Sequence, residues 1–269
     1  MLDRIRDMAG GISLPSGIKK PIVIAAAVVI VAAAAVRIVG GSSAKVSQET
    51  LSEGVAYIQS LESRDVSDVK ETLSEIRKAE RRALLEAGEL SIWDQFEDYA
   101  ILGDSRAVGF YYYDYLEESR CLTHGGATIR DVESYMDRLV ALQPKYVFMC
   151  YGLNDVSIGY WDTPEEYVAE FKEVMASIWE NVPDCQIIVS SILIARDPAF
   201  ETSTKWYEIP DFNVALKAMC EENGYSYADN TDICEEYADL WDSDGIHVNK
   251  AFYPYWATNL IAEVDVDYE

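Results

Sequence analysis

Five positions in this chain have the side chains and spacing that acyl-transfer chemistry needs. An apolar run ends in Gly103-Asp104-Ser105, putting a small hydroxyl where a strand should stop and a helix begin. A second segment runs into Gly125-Gly126-Ala127-Thr128, and a third into Tyr151-Gly152-Leu153-Asn154-Asp155. Near the C-terminus, "DSDGIHVNKAFYPYW" sets Asp244 three residues ahead of His247. A serine nucleophile requires a base to take its proton and a third group to orient that base. It also needs hydrogen-bond donors where an oxyanion will form, and a glycine N–H or an asparagine amide can supply them. A lone Gly-Asp-Ser is a weak signal, because Gly, Asp and Ser are ordinary turn residues. Four blocks in this order carry far more weight.

The elements that must position these residues are legible from hydropathy. The runs "YAIL" (99–102), "YVFMCYG" (146–152), "QIIVSSILI" (186–194) and the weaker "YSYA" (225–228) read as strands, with another short one in "SRCLTHGG". Between them, "TPEEYVAEFKEVMASIWENV" (163–182) opens with a Thr cap, a proline at the first helical position and two glutamates. Alternation of this kind predicts a parallel sheet with helices on both faces, and ligands then bind beyond the carboxyl ends of the strands. All four blocks fall at those ends or in adjoining loops.

With blocks and elements in place, residues 96–262 resemble the SGNH (GDSL-type) serine hydrolases. The resemblance implies an α/β, flavodoxin-like three-layer α/β/α fold with a five-stranded parallel sheet, and ester hydrolysis through an acyl-serine. It implies Ser105 as nucleophile, His247 as base and Asp244 as the partner of that base. Ser105 (through its own N–H), Gly126 and Asn154 become the oxyanion donors. Where the family often has Asn before the second-block glycine, this chain has Thr123-His124, so Gly125 and Gly126 both stand as candidates for that contact. His124 lacks the Asp-x-x-His context and is assigned with Gly125 to substrate binding. Asp104 and Asp155 are read as carboxylates that hold their turns.

No metal or cofactor is expected. The chain has two histidines and no Cys/His spacing for zinc, and in "DLWDSDG" Leu240 and Ala251 stand where a calcium loop needs its first and last ligands. Of the five cysteines, Cys121, Cys150 and Cys185 sit in apolar runs, leaving Cys220 and Cys234 as the pair to test for a bridge. Tyr111, Tyr112, Tyr113 and Tyr115, with Trp161, Trp206 and Tyr207, divide between a sugar-stacking rim and core, with core favoured.

The chain has 269 residues and a formal net charge of −25. Residues 1–95 carry 13 acids and 12 bases, whereas residues 96–269 carry 34 acids and 10 bases. The C-terminal body should repel nucleic acid. The N-terminal part holds fifteen uninterrupted apolar residues, Ile22 to Val36, followed by Arg37, Ile38 and Val39. Since Arg37 can snorkel, residues 21–39 are long enough to span a bilayer as a signal anchor. Arg4, Arg6, Lys19 and Lys20 precede the span and keep residues 1–20 in the cytoplasm. The competing reading is a signal peptide cleaved near Ser42–Ala44, which would release a secreted enzyme. Residues 40–95 follow as linker and helical stalk. Their apolar stripe (Leu51, Val55, Ile58, Leu61, then Val66, Val69, Leu73 and Ile76) needs a partner, either the catalytic body or a second copy. Residues 96–269 form the hydrolase domain.

Three functions follow. The first is an exported, membrane-tethered esterase removing short acyl groups such as acetate from glycans. The second is an acyltransferase that passes the same acyl group to a sugar hydroxyl. The third is a tethered binding module that has lost activity.

Overall fold

The computed structural model describes residues 67–265, with side chains from residue 72 onward. The expected span at 21–39, the linker and the first part of the stalk stripe lie outside the described residues. Among the described residues no helix is long and apolar enough to cross a membrane.

Five parallel strands form one sheet in the order β2-β1-β3-β4-β5: β1 Tyr99–Gly103, β2 Cys121–Thr123, β3 Tyr146–Cys150, β4 Gln186–Ser190 and β5 Ser226–Ala228. This is the flavodoxin-like order, which reverses direction beside β1 and opens a crevice between the ends of β1 and β3. Alternate side chains of each strand enter two separate cores. Ala100, Leu102, Val147, Met149, Ile187 and Val189 face one layer of helices; Tyr99, Ile101, Tyr146, Phe148 and Ile188 face the other. Both faces are covered, so the strands read as continuous apolar runs rather than as alternating ones.

The helices are α1 Ser67–Glu86, α2 Gly109–Tyr112, α3 Val132–Leu142, α4 Leu153–Ile158, α5 Pro164–Asn181, α6 Ile209–Asn223, α7 Thr231–Glu236 and α8 Tyr253–Ala262. Helix α5 starts as its sequence predicts: the Thr163 side chain accepts from the N–H of Glu166, and Pro164 occupies the first turn. The first layer is built from α3, α5 and α6, the second from α2, α7 and α8.

Helix α1 meets the catalytic body, but not through Leu73 and Ile76, the stripe positions whose side chains are described. Leu73 and Ile76 stay 46% and 49% exposed. Arg81 instead is buried, and donates to the carbonyls of Val264 (2.9 Å) and Ile261 (3.4 Å) at the end of α8. The Ile261 carbonyl also accepts from Val264 N–H at 3.2 Å, and the buried guanidinium completes the hydrogen bonding of this helix end and complements its negative charge. Arg82 reaches Asn259 Oδ1 at 2.9 Å and Lys78 pairs with Glu263 at 3.2 Å.

All five cysteines are free and buried, so Cys220 and Cys234 are not bridged to each other. Burial pushes the Cys220 thiol up to about 12 and that of Cys234 to about 11, which leaves both as inert packing groups.

Candidate active site

Ser105 lies where β1 gives way to the turns that lead into α2. Ala107 and Val108 donate to the Asp104 carbonyl at 3.0 and 3.3 Å, so the chain coils tightly straight after the strand. The N–H of Ser105, at the open start of that coil, donates to no group among the described residues. Its hydroxyl oxygen is 2.9 Å from His247 Nε2, a contact between residues 142 positions apart in the chain. His247 Nδ1 lies 2.6 Å from Asp244 Oδ2, while Asp244 Oδ1 accepts from the backbone N–H groups of Ile246 (2.8 Å) and His247 (2.9 Å). Burial alone would raise the Asp244 carboxyl, but the His247 ring and the two backbone donors outweigh it and hold it below the usual carboxylate range. An ionised Asp244 can only accept, so Nδ1 carries the ring proton and Nε2 is left to accept from the Ser105 hydroxyl.

The loop carrying Asp244 and His247 is tied down by its neighbours. Trp241 and Val248 form an antiparallel bridge, and Asp242 N–H donates to the His247 carbonyl at 2.8 Å. Trp241 Nε1 reaches the Ile194 carbonyl at 3.2 Å, and Arg196 N–H donates to Gly245 O at 2.8 Å. The His247 loop is therefore held against the segment that follows β4.

Gly126 and Asn154 follow β2 and β3, the two strands that flank β1. Ala127 N–H closes a turn onto the His124 carbonyl at 3.4 Å, with Gly125 and Gly126 at its centre. Gly126 has φ +81°, a conformation that costs glycine nothing and strains any other residue. The N–H groups of both glycines lack acceptors among the described residues, so both candidates for the donor remain available. Gly152, at φ +131°, sits against Ile192, where an added Cβ would lie 2.3 Å from a side-chain carbon; it turns the chain into α4 and delivers Asn154. The Asn154 amide nitrogen donates to the Ala127 carbonyl at 2.9 Å. A primary amide has a second N–H, so this bond fixes the group and leaves one donor for an oxyanion.

His124 is not brought to the triad. Its Nδ1 meets the Tyr135 hydroxyl at 2.8 Å and its Nε2 is 3.8 Å from Asp131 Oδ1, with the side chain 45% exposed. Asp104 holds its turn, as its residue type suggested. It accepts from Arg106 N–H (3.0 Å) and from Leu153 N–H (3.2 Å), joining the β1 turn to the β3 turn. Among the aromatics, Trp161 and Trp206 are core, while Tyr112 and Tyr207 are exposed.

Sequence reasoning did not single out Arg106 or Asp242. Arg106 is buried, paired with Asp104 at 3.4 Å, and donates to Leu193 O at 2.6 Å. A charged residue between an apolar strand and Ala107-Val108-Gly109 was the available signal. Asp242 walls a pocket of about 170 Å³ beside Ser105 and His247, with Tyr112, Tyr113, Val108 and Tyr253 as other walls. No residue of the 123–128 turn lines it.

Comparison with known proteins agrees with this geometry. Residues 101–254 match the model of the GDSL-like Lipase/Acylhydrolase family. The fold is shared with a lipase/acylhydrolase from Enterococcus faecalis, at TM-score 0.51 and 16% identity over 61% of this chain and 93% of that one. It is also shared with a Parabacteroides merdae protein assigned as a GDSL-like lipase, at TM-score 0.50 and 19% identity over the same shares of the two chains. No curated protein matches the chain. The chain belongs to the GDSL-like lipase/acylhydrolase family. It is a serine ester hydrolase of that type, which sets aside the reading of a module without activity.

Proposed function

We propose that the protein hydrolyses short-chain O-acyl esters, of acetyl type, on carbohydrate, with Ser105 as nucleophile, His247 as base and Asp244 as the group that orients it. The observation that carries this reading is the unbroken relay of contacts, 2.9 Å from Ser105 to His247 and 2.6 Å from His247 to Asp244. In it, Ser105 Oγ attacks the ester carbonyl while His247 Nε2 takes the hydroxyl proton. Charge developing on the carbonyl oxygen is met by Ser105 N–H, the Gly126 N–H and the free N–H of Asn154. His247 then returns the proton to the departing alcohol oxygen, leaving an acyl-serine. Water, deprotonated by the same imidazole, releases the acid and restores the serine. His124 and Gly125 flank this path as substrate contacts.

Pocket size supports the short acyl group. Sites that enclose a drug-sized ligand usually measure about 300–1,000 Å³, and the space beside Ser105 is about 170 Å³. Transfer to a hydroxyl acceptor is a second reading, favoured by one observation: the wall beside His247 is open and carries Tyr112, 72% exposed, and Asp242. A sugar stacked on a tyrosine face could present its hydroxyl to the base in place of water. The N-terminal span 21–39 would tether the domain outside the cell, or be removed to release it.

A panel of p-nitrophenyl esters from acetate to octanoate, with acetylated xylan and acetylated peptidoglycan, tests the substrate. Turnover should fall as the chain lengthens, and at least one acetylated polymer should release acetate. Octanoate turned over faster than acetate would overturn the short-chain assignment. Adding unacetylated oligosaccharide should diminish free acetate in favour of an acetylated sugar if transfer operates. Topology has its own test: protease added to intact cells should remove the catalytic domain, and protection until lysis would refute export.

A further inference from the structure

Two carboxyls next to the site are shut away from solvent, and only one of them has a cation. Asp104 and Asp155 both have no exposed surface. Asp104 is paired with the buried Arg106. Among the described residues no Lys, Arg or His pairs with Asp155. The nearest other guanidinium, Arg130, is exposed and committed to Glu170 at 2.6 and 2.8 Å. Asp155 Oδ1 accepts from the Ile129 N–H at 2.9 Å, while its Oδ2 has no partner. The phenols of Tyr151 and Tyr167 interact with its charge, and their hydroxyls are buried and equally without partners; Asp131 lies near Tyr151. The Arg130 charge is felt at Asp155, but with its guanidinium exposed and spent on Glu170 no described residue gives this buried carboxylate an ion pair of its own.

We infer that Asp155 is a positioning residue that works as a neutral carboxylic acid, clamping the turn that carries Gly126 onto the turn that carries Asn154. Two bonds stitch these turns together, Asn154 to the Ala127 carbonyl and Ile129 N–H to Asp155 Oδ1. Both oxyanion donors therefore keep a fixed separation. A proton on Oδ2 removes a negative charge from beside the place where an oxyanion forms. Burial is the chief influence raising this carboxyl, to about 7, with the Asp104 charge adding to it and the backbone N–H groups of Ile129, Asp155 and Gly152 working against both. The catalytic part of this inference rests on the oxyanion assignment proposed above; the protonation part does not.

Three measurements test it on the described domain in its full chain. Infrared spectra at pH 6 should show a protonated carboxyl band that Asp155→Asn removes. Because the folded protein holds this proton more tightly than the unfolded chain, its stability relative to Asp155→Asn should decline as pH rises from the ordinary aspartate value of 3.8 to about 7, then level off. Urea midpoints of the two proteins should diverge across that window, and parallel midpoints, or a missing infrared difference, would overturn the neutral acid. For positioning, Asp155→Ala should lower kcat by about 10-fold to 100-fold with KM little changed, since donor geometry matters in the transition state. Asp155→Asn, which keeps the oxygen for Ile129 N–H, should recover most of that loss. An alanine variant with normal kcat, or an asparagine variant as slow as alanine, would refute the clamp. Ester hydrolysis surviving in Ser105→Ala would instead remove the proposed triad and leave the infrared and urea results standing.

Discussion

Replacing Ser105 by alanine should lower kcat for ester hydrolysis on the order of 10⁶-fold, the size of loss seen when a serine triad loses its nucleophile. Among the described residues no other hydroxyl touches His247: Nε2 contacts Ser105 Oγ and Nδ1 contacts Asp244. Oxyanion donors alone leave only a small residual acceleration over water. The fold should be indifferent to the change, because the Ser105 side chain makes no hydrogen bond other than that to His247. The turn it occupies is held by Asp104, Arg106 and the Leu153 N–H instead. Purified Ser105→Ala with an unchanged unfolding transition and no turnover of p-nitrophenyl acetate is the expected result. Turnover within a few-fold of the parent would mean that a different group attacks.

The second large effect separates the two histidines. His247→Ala should abolish activity nearly as completely as loss of the serine, since its Nε2 is the only acceptor among the described residues placed for the hydroxyl proton. His124→Ala should leave kcat nearly intact and alter KM or substrate preference, because His124 bonds Tyr135 and approaches Asp131 on the rim. Asn154→Ala belongs between them. It removes one oxyanion donor, and should lower kcat by roughly 10²–10³ with little change in KM. A dead His124→Ala beside an active His247→Ala would reverse the assignment of base and contact residue. An Asn154→Ala effect confined to KM would take that amide out of the oxyanion site. Steady-state kinetics on one short aryl ester reads all three.

The features legible in the amino-acid sequence are those that depend on neighbours within a few residues. Strand and helix alternation, the Thr163 cap and the Asp-x-x-His spacing are local patterns. They were sufficient to foresee a parallel sheet with Ser105, Asn154 and His247 at its carboxyl edge or in the loops beside it. Local patterning fails where a side chain from far away replaces the ladder. The apolar run 186–194 reads as one strand, yet β4 ends at Ser190. Beyond it, Asn213 brackets Ile192 with bonds of 2.8 and 2.9 Å, Arg106 takes the Leu193 carbonyl and Trp241 takes that of Ile194. Those partners satisfy the backbone as a neighbouring strand would, and their identity is not encoded in the run. Helix α1 makes the same point. Its apolar spacing points to Leu73 and Ile76 as the contact face, yet Leu85 and the buried Arg81 make the contact with the catalytic body, because the carbonyls at the end of α8 need a donor that lies one turn further along. It takes the folded chain to show that Asp104 is ion-paired with Arg106 while no described residue forms an ion pair with Asp155. The two look alike as turn carboxylates in the sequence, and the difference lies in how many charges a closed core can neutralise.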